Sequence, residues 1–284
     1  MRTFISTGAF RTRDIHAILQ TAEENGIRRI EISPGLDYCR DINELLLREK
    51  DRFEFLIHNY FPTPKVPFAL NLASGDRGVL ERSMAMCREA IGFVAAMGIP
   101  HYSVHCGYCF DTDGSHLGNR TQVSLPRIPY GRARDTFVGC LRELADFAAG
   151  KGVGLAIENN VMADFAEGDK GLFLGVDTGD MLELVGLTGR PNVGVLLDLA
   201  HAKVSDSSLG FGLDDMVERL RPYLMEVHIS GNDGKADQNL PLDGQDALLA
   251  YLGQIGDIPV TLETYNLSID EIKSQIRLVD FIGQ

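Results

Sequence analysis

The chain has 284 residues, 44% hydrophobic and 24% charged, with a net charge of −13. That length and apolar content suit one large domain with a full core, and no Gly/Ser tract, Pro-rich run or block of like charge marks a linker. The acidic balance disfavours nucleic acid and anionic membrane surfaces, and no apolar stretch reaches the roughly 20 residues that span a bilayer.

The opening MRTFISTGAFRTRD lacks a long apolar signal core and reads as a first strand. Five cysteines, an odd number, fit a reduced cytoplasmic protein. Cys106 and Cys109 form a C-x-x-C with no second pair, and unpaired thiols are expected there.

Short apolar, β-rich runs then alternate with longer amphipathic ones. Strands are expected at 3–7, 28–33, 53–58, 101–105, 153–158, 193–198, 224–229 and 258–263. The first helix, within RDIHAILQTAEENG, puts Ile15, Ile18, Leu19 and Ala22 on one face and ends at Gly26. Further helices are expected at 40–50, 76–98, 131–150, 177–187, 211–221, 243–253 and 268–282, the last opened by a capping box of Ser268 and Glu271.

Strict alternation of strand and helix implies a parallel sheet with right-handed crossovers. Eight such units point to an α/β fold, a single (β/α)8 TIM barrel with residues 1–284 as one domain. An open doubly wound sheet would show a glycine-rich phosphate turn after its first strand, and STGAFRTRD contains no G-x-G-x-x-G.

The active site of such a barrel lies at the carboxyl ends of its strands. Here those ends carry His58, His105, Glu158, Asp198 with His201 just beyond, His228 and Glu263. One such residue alone is ordinarily solvated or hydrogen-bonded. Carboxylates crowded into one cleft repel one another and resist desolvation, and a divalent cation relieves both problems. Carboxylates mixed with imidazoles suit manganese, magnesium, cobalt or zinc.

These residues stand in SVHCGY (103–108), AIENN (156–160), LLDLAHA (196–202), EVHIS (226–230) and LET (262–264). In this order the segments resemble the xylose-isomerase-like barrel superfamily of sugar isomerases, epimerases, inosose dehydratases and endonuclease-IV-type enzymes. The resemblance covers nearly the whole chain. It implies a divalent metal held by Glu158, Asp198, His228 and Glu263, with Glu158 and Glu263 moving protons. His58, His105, His201 and Asp237 match positions that hold further metals in the endonuclease branch, or substrate oxygens otherwise. That branch needs an Asp-x-His after the seventh strand. Here DQN, Asp237 to Asn239, lacks the imidazole.

Two long loops flank the expected mouth. Segment 58–74 contains several prolines with Tyr60, Phe61 and Phe68, and suits a lid or simple packing over the barrel. Segment 107–135 greatly exceeds an ordinary βα loop. Its Arg120, Arg127, Arg132 and Arg134 suit either an anionic substrate group or the solvated surface.

The leading expectation is a divalent-metal-dependent isomerase or epimerase acting on a small sugar by proton transfer beside a carbonyl. No nucleic-acid or membrane partner is expected, and a homo-oligomer is compatible. The alternatives are a zinc phosphodiesterase of the endonuclease type, a sugar dehydratase of the same fold and a non-catalytic sugar- or partner-binding barrel.

Overall fold

The alternating runs become a ring of parallel strands in the computed structural model, which describes residues 1–283. The strands are β1 Thr3–Ser6, β2 Arg29–Ile32, β3 Glu54–Ile57, β4 His101–His105, β5 Gly154–Glu158, β6 Val193–Asp198, β7 Leu224–Ile229 and β8 Val260–Leu262. Their hydrogen-bonded order is β3-β2-β1-β8-β7-β6-β5-β4. The remaining junction, between β3 and β4, is a parallel bridge from His58 to Ser103, where Asn59 N donates to Ser103 O at 2.7 Å. The result is a nearly closed, single (β/α)8 TIM barrel.

Helices α1 Ile15–Glu24, α2 Ile42–Glu49, α3 Arg77–Met97, α4 Tyr130–Ala149 and α5 Thr178–Thr188 follow the first five strands as expected. Their ends are set by local chemistry. Asp76 caps α3 by accepting from Val79 N at 2.9 Å, and Gly98 closes it at φ 71°, where a Cβ is disfavoured. The capping box of Ser268 and Glu271 opens the last helix, α8 Ile269–Ile282.

Two elements differ from expectation. A helix α6, Leu199–Leu209, precedes α7, Leu213–Leu220. Leu199, Ala200, His201, Ala202, Val204 and Ser205 are buried while polar, part-exposed residues gather in its second half, so α6 has no amphipathic period to announce it. Segment 243–253 gives only 3-10 turns over Ala247–Gln254.

The main core lies between strands and helices, around residues such as Ile18, Leu46, Ile91, Leu141 and Val195. A second apolar cluster, with Phe110, Met162, Leu172, Phe173 and Val176, is built from the loops after β4 and β5 at the barrel mouth. Segment 58–74 is packed rather than poised as a lid. Phe61 stacks on Phe93 of α3 at 5.1 Å, and Asn71 donates to the carbonyls of Tyr108 and Phe110, both at 3.1 Å. Cys106 and Cys109 are free and buried, as expected of unpaired thiols.

The barrel interior departs from the usual layers of branched aliphatic side chains. Ser6, Glu31, Ser103, Glu226, His228 and Thr261 are all fully buried. Such groups persist in a core only when hydrogen-bonded or charge-compensated.

Candidate active site

Strand ends set the site. β6 finishes at Asp198, which is also the N-cap of α6: its Oδ1 accepts from His201 N at 2.7 Å. The three-residue spacing of Asp198 and His201 is therefore a cap geometry. It leaves Asp198 Oδ2 and the His201 ring at the mouth, with Oδ2 3.9 Å from Nε2. Register places Asp198 beside His228, and Glu158 beside His105.

Glu158, Asp198, His228 and Glu263 each offer a ligand atom, all within 4.8 Å of one another. His58, His105 and Glu158 form a second such group, and Glu31, His58 and His228 a third. Glu158 is the hub. Its Oε2 lies 3.1 Å from His58 Nε2 and 3.0 Å from His105 Nδ1, and its Oε1 lies 3.7 Å from His228 Nδ1. His201 borders these groups, with Nδ1 3.6 Å from Glu158 Oε1, but its best partners lie elsewhere: Nε2 is 3.3 Å from Asp237 Oδ2 and Nδ1 2.9 Å from the carbonyl of Asn159.

Despite this proximity, His58 Nε2, His105 Nδ1 and both Glu158 oxygens are buried without a properly directed hydrogen bond. Each such group costs about 1–3 kcal/mol if left unsatisfied. His58 Nδ1 lies 3.0 Å from Ser103 Oγ, and burial lowers the imidazole's pKa despite Glu158 beside it. Its Nε2 edge and His105 Nδ1 both face one carboxylate in a buried space, and imidazole nitrogens gathered around carboxylate oxygens are a donor set that suits a divalent metal.

The carboxyls divide by environment. Burial raises Glu158, but His105 and His58 outweigh it and hold the group well below the usual range. Glu263 is likewise raised by burial but lowered overall by His228. Asp198 is pushed up to about 7 by burial, against the pull of His201. His201 is raised well above its ordinary value, since Asp198 and Asp237 overcome its burial.

A cavity of about 250 Å3 opens above this cluster, with His105, His201, Tyr108, Phe165, Phe173 and Asp237 in its walls. None of the four arginines of segment 107–135 lines it. Arg120 pairs with Glu167, Arg127 with Asp169 and Arg134 with Asp135 and Glu183, so these three serve surface ion pairs. Asn239, in the place of the missing imidazole, donates from Nδ2 to Asp237 Oδ1 at 2.9 Å.

Sequence reading passed over Glu31, Glu226 and His101. His228 and Glu226 lie two residues apart on β7, hence on one face of the strand, and that period was the available signal. Glu226 accepts from Thr261 Oγ1 at 2.9 Å and lies 2.8 Å from His101 Nε2, while Glu31 lies 2.8 Å from His228 Nε2.

The sequence profile described as the xylose isomerase-like TIM barrel matches residues 9–280. The chain belongs to this family. It is 23% identical to an uncharacterized protein, MJ1311, of Methanocaldococcus jannaschii, over 99% of this chain and 89% of that one. A solved D-tagatose 3-epimerase-like protein matches with a TM-score of 0.74 at 19% identity, covering 99% of this chain and 97% of the other. A D-psicose 3-epimerase from Clostridium cellulolyticum H10, solved with D-tagatose, matches with a TM-score of 0.66 at 16% identity, covering 100% and 96%. At these identities the likenesses establish the fold. Among the described residues, no helix is long and apolar enough to cross a membrane.

Proposed function

We propose that the protein is a divalent-metal-dependent isomerase or epimerase of a small sugar. One observation carries the reading: Glu158, Asp198, His228 and Glu263 converge within 4.8 Å at the barrel mouth, with both Glu158 oxygens unsatisfied. The solved proteins named as sugar epimerases share the fold, which supports the choice of substrate class. A cation held by these four residues would supply Lewis-acid polarisation of a substrate carbonyl and so acidify the adjacent C–H.

The chain's own residues perform the proton transfers. Glu158 and Glu263 both have depressed pKa values and are ionised at neutral pH, so either can accept a proton from carbon. Their carboxylates flank the same small space: one removes a proton from carbon, and the other, once it has taken a proton from solvent, gives that proton back, so the two groups end the cycle with their protonation exchanged and solvent restores it. His201, held by the Asn159 carbonyl, and His105 hold substrate oxygens at the cavity floor. The apolar faces of Tyr108, Phe165 and Phe173 exclude water from one side of the cavity.

His58 and His105 with Glu158 favour a second cation as an extension of the site. A complete endonuclease-type metal set is disfavoured, because Asn239 supplies a donor where that set needs an imidazole. The test is a panel of ketoses and aldoses offered to metal-free and metal-replete protein. Metal-dependent interconversion supports the reading, and inertness toward every sugar at full metal occupancy counts against it.

A further inference from the structure

The His228 ring lies between Glu31 and Glu263, and a chain of hydroxyl donors ends on Glu31. Ser6 Oγ donates to Ser33 Oγ at 2.9 Å, and Ser33 Oγ donates to Glu31 Oε1 at 2.6 Å. Ser33 has one hydroxyl proton, so Glu31 is the acceptor at the end of this chain. Its other oxygen, Oε2, lies 2.8 Å from His228 Nε2, which is therefore the donor. All four residues are buried, so no water competes for these positions.

Glu226 is the other carboxylate near that nitrogen, at 3.6 Å. Its oxygens already have better partners, His101 Nε2 at 2.8 Å and Thr261 Oγ1 at 2.9 Å. Glu31 is thus the partner that fixes the ring. With the Nε2 proton held there, Nδ1 faces Glu263 Oε2, 3.0 Å away, and Glu158 Oε1, 3.7 Å away, so a cation among these carboxylates would take the place of the Nδ1 proton.

We propose that Glu31 is a positioning residue for the metal centre: it holds Nε2–H of His228, aims Nδ1 at the carboxylates and makes that nitrogen a stronger ligand. The inference rests on the reading of His228 as a metal ligand. Outer partners of ligating histidines commonly contribute 10- to 100-fold to metal affinity. The charge and direction of Glu31 both matter, so Glu31→Gln, which keeps the shape and one acceptor, should fall between the parent and Glu31→Ala.

Full-length metal-free protein is titrated with Zn2+ against a competing chelator, for the parent, E31Q, E31A and E226Q. The expected result is about 10- to 100-fold weaker binding in E31A, an intermediate loss in E31Q and less than about threefold in E226Q. Long-range 15N–1H spectra of the zinc-loaded chain supply the second readout: His228 should show a protonated Nε2 and a metal-bound Nδ1. E31Q is nearly isosteric and decides the matter if E31A fails to fold. Parent binding of zinc with E31Q unchanged, or with His228 ligating through Nε2, overturns the inference while the metal site stands. A parent chain that binds no zinc overturns both.

Discussion

Asn159 and Asp198 clamp each other at the rim of the barrel. Asn159 Nδ2 donates to the Asp198 carbonyl at 3.0 Å, and Asp198 N donates to Asn159 Oδ1 at 2.8 Å. A side chain here mimics the next rung of the β5–β6 ladder, just past Glu158. It holds the two carboxylates of adjacent strands at a fixed separation. Asp198 C=O keeps its place as the first acceptor of α6, so Asn159→Ala leaves the buried N–H of Asp198 unpaired, and a destabilisation of about 1–3 kcal/mol is expected. Denaturant unfolding in excess chelator measures it. A loss under about 0.5 kcal/mol would show that water replaces the amide.

The ligand set is tested by removal. Asp198→Ala and His228→Ala each delete one group of the cluster, and both should bind the first divalent ion far more weakly than the parent. Asp198→Ala also removes the cap of α6, so Asp198→Asn, which keeps a capping oxygen, is the cleaner variant. Elemental analysis after dialysis gives the stoichiometry. Parent-like metal content in Asp198→Asn and His228→Ala would remove this cluster from consideration.

Protons and metal should compete. Burial pushes Asp198 up to about 7, while His201 and His228 are raised well above the ordinary imidazole value by facing carboxylates. Groups raised in the folded state give stability that is present at low pH and lost as pH rises through the folded value. His58, lowered by burial, works in the opposite sense. Three groups against one predict that metal-free protein melts at a lower temperature at pH 8 than at pH 6. Glu158 and Glu263 have depressed values and contribute nothing further in that window. Added metal should flatten the dependence and release protons on binding, more of them at pH 6 than at pH 8. Calorimetry in buffers of different ionisation heat measures that release. Proton uptake, or a melting temperature that rises with pH without metal, would contradict these assignments.

Zinc-loaded protein should not nick abasic duplex DNA. The net charge of −13 opposes a polyanion, and Asn239 faces Asp237 as a donor where a third metal would need a ligand. Metal-dependent nicking that disappears in Glu263→Ala would reverse this assignment.

The barrel and the cluster of polar residues at its mouth were legible for one reason: both depend on local pattern. A parallel strand buried on both faces reads as an apolar run, and each polar residue ending such a run stands out, as Glu158, Asp198 and Glu263 do. Glu31 sits inside its run, between Ile30 and Ile32, and its importance comes from Ser33 and His228, which only barrel closure brings together. Helix α6 was hidden because its buried first half and polar second half give no amphipathic period. The choice for the arginines of segment 107–135 between a substrate anion and the surface stayed open, because composition does not show that Glu167, Asp169 and Glu183 lie within reach of Arg120, Arg127 and Arg134.

The most direct test of the proton-shuttle mechanism is turnover of the responsive sugar in D2O at saturating metal. Glu158 and Glu263 exchanging protons with carbon should place deuterium on the product carbon, and Glu158→Gln or Glu263→Gln should slow turnover by about 10²- to 10⁴-fold. Product free of deuterium after full conversion would contradict the shuttle and indicate hydrogen carried directly between carbons. Parent-like turnover in both Gln variants would remove the glutamates from the chemistry.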